Sequence, residues 1–402
     1  MTESAARHGN PGHVLLFVFP DYGHVRPMLG VSRGLVARGH RVSWITDHRY
    51  AAAVKEVGAE LVGYDSTRPA FGSGPVVSAA EMGELGVAFM TESIEVILPL
   101  ARERFAGDVP DLVLYDFESA TAARTVAERW RRPTVQVFPN LASNESWSLH
   151  AQVFDSSDDS VHRVVALVQK FLTDTGQDPG RIWSFLTPFD QRNLVMLPRA
   201  FQPHGDTFDE RFTFVGHAVE DAAGDVPAWS PPAGAGPVVL MSLGTEAADP
   251  AFFATCREAF AGGPEHLVMT LGRRHAPVGE PTPSNMETHE WLPHPAVLPH
   301  ADVFVTHGGM GSIVEALYFG APMVVVPHMP EPELNGRRIV ELGLGRLLPV
   351  GELTADTLRA AVREVAADDA LRARVARMRD SLLADGGIPR AVEALEGYLP
   401  RP

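Results

Sequence analysis

The chain has 402 residues, more than one hydrophobic core normally organises, so its length predicts two domains. Its 34 lysines and arginines face 50 aspartates and glutamates, and the resulting formal net charge of −16 argues against a nucleic-acid partner. No segment reaches the ~20 apolar residues that cross a bilayer, and no cleavable leader precedes the first apolar run, so we expect a cytoplasmic protein without membrane insertion.

The first half of the chain alternates short apolar runs with helical segments. A helix is predicted to begin at Pro27, which suits a first turn, and to end before Gly39. Runs typical of buried strands occur at 13–19, 41–46, 60–64, 111–115 and 134–138. Strands joined by helical crossovers form a parallel sheet with helices on both faces, so residues 1–216 are predicted to be a doubly wound α/β domain.

A second alternation follows a segment rich in alanine, glycine and proline. This segment, 217–237, is predicted to be an interdomain linker, and residues 238–384 to be the second α/β domain. The strands of that domain are predicted at 238–242, 267–271, 303–306 and 323–326. The chain end is helical by its periodicity, and we expect a helix over about 385–402 to pack back on the first domain.

Two polar residues follow strands of the first domain. His24 lies in the turn after the first strand, and Asp116 directly follows the strand at 111–115. Ligands of parallel sheets gather at the carboxyl ends of strands, where a neutral imidazole can take a proton from a hydroxyl and a carboxylate can fix its tautomer. The alternative is that His24 is an ordinary loop residue and Asp116 only a helix cap.

A glycine-rich turn follows the predicted strand at 303–306. Its backbone amides and the start of the next helix can bind a phosphate, although a tight crossover alone also needs glycines. Ser242, Gly244 and Thr245 follow the first strand of the same domain and face the same edge. Glu315 can accept hydrogen bonds from a ribose diol and Trp291 can stack on a base, the alternatives being an exposed glutamate and a core tryptophan.

Together these segments resemble family 1 nucleotide-sugar glycosyltransferases of the GT-B fold, in which two Rossmann-like domains face each other across a cleft. The resemblance is closest to the bacterial macrolide type. The matching segments are Gly23-His24-Val25-Arg26-Pro27, Asp111 to Asp116, Gln202-Pro203-His204, Phe214-Val215-Gly216, Trp291-Leu292-Pro293, Thr306 to Ser312, Glu315, Pro327 and Asn335.

The resemblance implies an inverting, metal-independent transfer from a nucleoside-diphosphate sugar, without a cofactor, to a hydroxyl of a hydrophobic small molecule such as a macrolide or polyketide. It implies that the first domain binds the acceptor and that His24 is the base with Asp116 as partner. The second domain would bind the donor through Ser242, Gly244, Thr245, Trp291, Leu292, His294, His307, Gly309, Gly311, Ser312, Glu315 and Glu331. The sequence leaves the oligomeric state open and allows a homodimer.

The donor segment departs from the family pattern in one place that matters. Relatives often carry an acidic residue followed by glutamine, which grips the sugar hydroxyls, whereas this chain has Glu331-Pro332. UDP-glucose and dTDP-deoxysugars both remain candidate donors, and a deoxysugar would lose less from this change. Two histidines, His294 and His328, replace glutamines and can still donate hydrogen bonds.

Acceptor residues are harder to assign, because apolar pocket residues look like core residues. Aromatic, sulfur-containing and amide side chains predict an acceptor pocket lined by Tyr22, Phe71, Phe89, Met90, Asn140 and Trp147. Two other functions are weighed: a non-catalytic accessory protein of the same fold, and a serine hydrolase using Ser32 in Gly30-Val31-Ser32-Arg33-Gly34. The hydrolase is disfavoured because Ser32 falls inside a predicted helix rather than at a strand-to-helix turn.

Overall fold

The computed structural model describes residues 11–67, 77–154, 157–219, 228–244, 249–272 and 282–400. Within these ranges the chain forms two parallel β-sheets, each covered by helices on both faces, as the sequence predicted. No helix in these ranges is long and apolar enough to cross a membrane.

The first sheet has seven strands in the order β3-β2-β1-β4-β5-β6-β7, so the chain reverses its winding direction beside β1. Its strands are β1 (His13–Phe17), β2 (Arg41–Asp47), β3 (Glu60–Tyr64), β4 (Leu112–Tyr115), β5 (Thr134–Phe138), β6 (Asn193–Val195) and β7 (Phe212–Phe214).

The second sheet has six strands in the order β10-β9-β8-β11-β12-β13, with the reversal beside β8. Its strands are β8 (Val238–Ser242), β9 (His266–Thr270), β10 (Met286–His289), β11 (Val303–Thr306), β12 (Met323–Val325) and β13 (Gly345–Leu347). The sequence did not predict β6, β7, β10 and β13.

Helices connect the strands and cover both sheets. Those that precede β8 are α1 (Tyr22–Ala37), α2 (Ala51–Glu56), α3 (Ala79–Glu92), α4 (Leu98–Arg104), α5 (Ala120–Trp130), α6 (Leu149–Val153), α7 (Asp159–Asp174) and α8 (Ile182–Leu186). Those that follow β8 are α9 (Pro250–Phe260), α10 (His294–Val297), α11 (Met310–Phe319), α12 (Pro330–Glu341), α13 (Ala355–Ala367), α14 (Asp369–Ala384) and α15 (Gly387–Glu396).

Burial on both faces explains the continuous apolar strands. Val14, Leu15 and Leu16 of β1 are all fully buried, although successive side chains point to opposite faces. Leu15 joins the cluster under α4, α5 and α7, whereas Val14 and Leu16 join the cluster under α1 and α15.

Strand register decides which loops meet. Phe17 of β1 pairs with Tyr115 of β4, and Ser242 of β8 pairs with Thr306 of β11. In each sheet two central strands therefore end side by side, so the loops that follow them share one edge.

Helix α1 begins five residues earlier than the sequence predicted. The Asp21 side chain accepts a hydrogen bond from the Gly23 amide and caps the helix at Tyr22. Pro27 lies inside the helix instead of starting it, at the loss of one backbone hydrogen bond. As a result His24 sits in the first helical turn, not in the turn that precedes the helix.

Helix α15 lies on the first domain beside α1. Gly34 allows the close approach of the two helices, since a Cβ there would lie 2.7 Å from Val392 Cγ2. Arg38 and His40 both bind Glu396 of α15. The chain leaves the first domain after Val215 and returns to it at Gly387. These two segments contact each other, because the Gly387 amide donates a hydrogen bond to the Val215 carbonyl oxygen at 2.8 Å.

Candidate active site

The two sheet edges face each other across one cavity of about 1230 Å³. Its walls come from both domains, and apolar atoms make up most of its surface. His24 and Asp116 line it from the first domain, and Gly309 and Glu315 line it from the second. A cavity of this size and polarity is typical of sites for small organic ligands.

His24 and Asp116 form a pair at the edge of the first sheet. Nδ1 of His24 lies 3.3 Å from Oδ2 of Asp116, and Asp116 also accepts the backbone amides of Phe19 and Ser119. These amide bonds hold the carboxylate in place. Because a carboxylate only accepts, Nδ1 carries the proton and Nε2 is the ring nitrogen left for chemistry.

Glu118 joins this pair, and the sequence did not single it out. Its Oε2 lies 4.0 Å from Nδ1 of His24, and its side chain lines the cavity. Burial opposes a charge on His24, but Glu118, Asp116 and Asp21 outweigh it and raise the pKa of the imidazole to about 9. Burial in turn raises the pKa of Glu118. The only signal in the sequence is its position two residues after Asp116.

The same three residues are the one group among the described residues whose spacing suits a cation. A ring nitrogen of His24 and oxygens of Asp116 and Glu118 lie within 4.8 Å of one another. The nitrogen that faces the carboxylates is Nδ1, which donates to Asp116 and so has no lone pair to offer an ion.

The glycine-rich turn lies at the start of α11. Gly308 has a φ of +91°, and a Cβ there would lie 2.7 Å from Val325 Cγ1 and 2.9 Å from the Pro332 carbonyl oxygen, so this position requires glycine. Gly309 caps the helix, and the cavity is lined by Gly309, Met310, Gly311 and Ser312. The first amides of a helix lack intrahelical partners and attract anions.

His307 is wedged between two glycines. A Cβ at Gly244 would lie 2.6 Å from its Cε1, and a Cβ at Gly309 would lie 2.5 Å from its Nε2. Burial lowers the pKa of His307 to about 4, so the ring is neutral near pH 7. Ser242 lines the cavity beside it, and its Oγ accepts the Gly244 amide at 3.1 Å.

Glu315 is nearly buried and is held from both sides. His294 Nδ1 lies 2.9 Å from its Oε2, and Arg26 of the first domain pairs with its Oε1. Burial lowers the pKa of His294 to about 3, so this imidazole is a neutral donor. His294 therefore positions Glu315, and because it also lines the cavity, its donor contact stays a prediction.

Trp291 is 39% exposed and lines the cavity with Leu292. Its ring meets that of Tyr22 edge to face, with centroids 5.6 Å apart. Glu331, at the start of α12, lines the same cavity, and Asn335 donates to it at 3.3 Å. Burial raises the pKa of Glu331.

The acceptor residues predicted in the first domain are brought together in part. Phe89, Met90 and Asn140 line the cavity. Tyr22 lines it as well, but it meets Trp291, a residue predicted to bind the donor. Residues that the sequence did not assign to the pocket supply much of the remaining surface, namely Phe117, His150, Phe154, Val164, Val165 and Trp183.

Trp147 does not line the cavity, so its predicted acceptor role is wrong. It belongs to a turn in which Asn144 Oδ1 accepts the Trp147 amide, and its ring packs against the hydrophobic core. Phe71 and Thr245 lie outside the described residues. Ser32 is fully buried within α1 and accepts a hydrogen bond from Trp44 Nε1, so it cannot serve as the nucleophile of a hydrolase.

Comparisons with known proteins agree with this architecture. The family model "Erythromycin biosynthesis protein CIII-like, C-terminal domain" matches residues 261–396. Demethyllactenocin mycarosyltransferase of Streptomyces fradiae is 35% identical over 404 aligned residues, covering 96% of this chain and 86% of that protein. Oleandomycin glycosyltransferase of Streptomyces antibioticus is 36% identical over 401, covering 97% and 91%.

The chain belongs to the bacterial family 1 antibiotic glycosyltransferases. The crystal structure of the kitacinnamycin glycotransferase matches this glycosyltransferase with a TM-score of 0.85 and 39% identity, covering 97% of this chain and all of that one. The GT-B fold is thereby confirmed. These matches also favour a catalytic glycosyltransferase over the two alternative functions, the non-catalytic accessory protein and the serine hydrolase.

Proposed function

We propose that this glycosyltransferase moves a sugar from a nucleoside-diphosphate sugar to a hydroxyl of a hydrophobic small molecule, in one inverting displacement without a metal ion. The observation that carries the proposal is the shared cavity. A histidine paired with a carboxylate opens into it from one domain, and a glycine-rich helix start opens into it from the other.

His24 is the proposed base. Its Nε2 takes the proton of the acceptor hydroxyl while the oxygen attacks the anomeric carbon, and Asp116 and Glu118 stabilise the imidazolium that forms. Attack from the face opposite the leaving diphosphate inverts the anomeric centre and needs no protein nucleophile. Because the pKa of His24 is about 9, the fraction of neutral base grows as the pH rises toward that value.

The second domain is proposed to hold the donor. The amides at the start of α11 and the neutral His307 donate to the diphosphate and stabilise the charge that develops as it leaves. Glu315 accepts from the ribose, and Trp291 stacks on the base. Metal independence follows from these donors, which take the place of a cation.

The sugar itself is proposed to lie between His24 and Glu331. Pro332 is buried and offers no side-chain hydrogen bond, so Glu331 is the acidic group left to accept from the sugar. A dTDP-deoxysugar leaves fewer hydroxyls unpaired than UDP-glucose, and an unpaired buried hydroxyl costs about 1–3 kcal/mol. We therefore favour the deoxysugar.

The test is release of the nucleoside diphosphate. Purified protein is incubated with UDP-glucose or a dTDP-6-deoxyhexose and a panel of hydroxylated polyketides, and both the free diphosphate and the glycosylated product are measured. We expect equal amounts of the two, together with a product of inverted anomeric configuration. Release of diphosphate without a glycosylated product, or retention of configuration, would contradict the proposal.

A second measurement separates the base from the donor site. His24→Ala is expected to abolish transfer while leaving the affinity for the diphosphate unchanged, since His24 acts on the acceptor. His162→Ala, on the exposed side of α7, is the matched control and should retain full activity. If His24→Ala loses transfer and diphosphate affinity to the same extent, His24 is not the base.

A further inference from the structure

One ion pair crosses the cavity between the domains. Arg26 extends from the first turns of α1, and its guanidinium pairs with Oε1 of Glu315 on α11. Glu315 is almost completely buried, and His294 already donates to its other oxygen. Oε2 of Glu315 thus has a hydrogen-bond donor in its own domain, whereas Oε1 makes no hydrogen bond and has only the charge of Arg26, from the opposite domain, as its partner.

A second contact lies one helical turn away. Tyr22 precedes Arg26 by four residues, so the two side chains share a face of α1, and the Tyr22 ring meets that of Trp291. The two first-domain residues therefore contact the two residues to which the proposed function assigns the nucleoside. Oε1 is the oxygen of Glu315 left to accept from a ribose, and the guanidinium of Arg26 now lies against it.

The charges that line the cavity indicate which other group Arg26 can bind when a ribose occupies Glu315. Four carboxylates besides Glu315 line the described part of the cavity: Asp21, Asp116, Glu118 and Glu331. Arg26 is the one arginine or lysine among the described lining residues. A donor brings an ionised diphosphate into this acidic site, so the field of the carboxylates opposes donor binding, and a guanidinium that moves toward the diphosphate reduces this opposition. The diphosphate cradle at the start of α11 is one helical turn from Glu315.

We propose that Arg26, although it belongs to the acceptor domain, is a donor-binding residue that exchanges Glu315 for the donor diphosphate when the ribose takes over this carboxylate. The inference rests on the proposed function, in which Glu315 binds the ribose. Arginine suits the exchange because its guanidinium forms two parallel bonds with carboxylates and with phosphates alike. The ion pair across the cavity is thus replaced by an ion pair with the substrate.

The exchange predicts opposite effects on two ligands. Arg26→Met keeps the apolar stem and removes the charge. A nucleoside diphosphate then loses a charge-assisted contact, and its dissociation constant should rise about tenfold. A nucleoside without phosphates loses nothing and no longer competes with Arg26 for Glu315, so its dissociation constant should fall about threefold.

The experiment measures both ligands by titration calorimetry on the full chain. UDP and dTDP are compared with uridine and thymidine in wild type, Arg26→Met, Arg26→Lys and Arg33→Met. Arg26→Lys retains a charge and should recover most of the diphosphate affinity. Arg33 lies on the same helix but faces solvent, so Arg33→Met should match wild type. A weaker dependence of diphosphate binding on salt is expected only for Arg26→Met.

The outcomes separate the inference from the proposed function. If wild type binds neither diphosphate, the proposed function fails, and the inference fails with it. If wild type binds a diphosphate and Arg26→Met binds it equally well, the donor role of Arg26 is overturned while the proposed function stands. If Arg26→Met binds diphosphate and nucleoside more weakly by the same factor, Arg26 only shapes the pocket and the exchange is likewise refuted.

Discussion

The two halves of the cavity are built by different means. The donor half, the part of the cavity lined by the second domain and proposed to bind the donor, is shaped by the backbone. Gly244 and Gly308 adopt positive φ angles, and the start of α11 presents its amides. The acceptor half is shaped by side chains on helices that come from separate parts of the chain, such as α3, α7 and α8. A backbone cradle tolerates few substitutions, whereas an apolar wall can be rebuilt residue by residue. The contrast implies that substitutions are tolerated less well at the glycine-rich turns than along the apolar wall.

The largest effect is expected at the junction of the two halves. Asp116→Asn should lower the turnover number about a hundredfold or more, because an amide stabilises the imidazolium poorly and allows the wrong tautomer of His24. The fold should change little, since the asparagine oxygen still accepts one backbone amide. Turnover and thermal midpoint are measured side by side, with the exposed capping residue variant Asp178→Asn as control. Full activity in Asp116→Asn would show that Asp116 does not assist His24 in catalysis.

A matched pair of tryptophans tests whether the halves are independent. Trp291→Ala should raise the KM for the donor about tenfold, since stacking on a base contributes about 1–3 kcal/mol. Trp183, which is 69% exposed and lines the acceptor half, should change only the KM for the acceptor when replaced by alanine. Initial rates are measured with one substrate varied at a time. A variant that changes both KM values equally would show that the two halves are coupled.

Glu118 should set the pH range of the reaction. In wild type, kcat/KM should rise with pH toward about 9, because His24 acts as a base only when its Nε2 is unprotonated. Against the effect of burial, Glu118, Asp116 and Asp21 raise the pKa of this imidazole, and Glu331 of α12 also faces it. Removing one of these charges in Glu118→Gln lowers the pKa of His24, so the rise should move to lower pH by about one unit.

The control for this shift is Glu128→Gln, which removes a charge on the surface of the same domain. Its profile should coincide with that of wild type. If Glu118→Gln also leaves the profile unchanged, Glu118 does not act on the imidazole. A profile that moves to higher pH would contradict the sign of the interaction.

The smallest effect is expected from chelation. Dialysis against EDTA should leave the rate unchanged, because the helix start and His307 already donate to the diphosphate. The rate is measured before and after dialysis and again after addition of Mg²⁺ or Mn²⁺. A loss on dialysis that either ion restores would contradict metal independence and point to the carboxylates of the cavity.

The difference between the halves also decides what could be predicted from the sequence. Gly308, Gly309 and Gly311 stand out as a glycine-rich turn after a predicted strand, and the shared strand edge places His24 beside Asp116. By contrast, Trp147 was expected in the pocket and lies against the core, while Trp183 lines the pocket and was not expected there. Both residues are tryptophans, and no local sequence pattern separates them. Only the packing of the helices decides which tryptophan lines the pocket and which one packs against the hydrophobic core.

Contacts between the domains were the least predictable part of the site. Arg26 and Glu315 are 289 positions apart, and each has an ordinary interpretation as a helix surface residue. Their pairing depends on how the two sheets are oriented, which no local pattern encodes. Glu118 is similar, because its effect on His24 comes from a distance of 4.0 Å across a turn and not from a motif.

The chain passes between the domains twice, and the two passages touch. Gly216, at the end of the first domain, packs against Leu382 and Asp385, and the Val215 carbonyl is bonded to Gly387. A body attached at two adjacent points swings about the line that joins them and has little freedom to slide or twist. We therefore expect any opening of the cleft to be a rotation about an axis near these residues, with the widest opening at the mouth farthest from them.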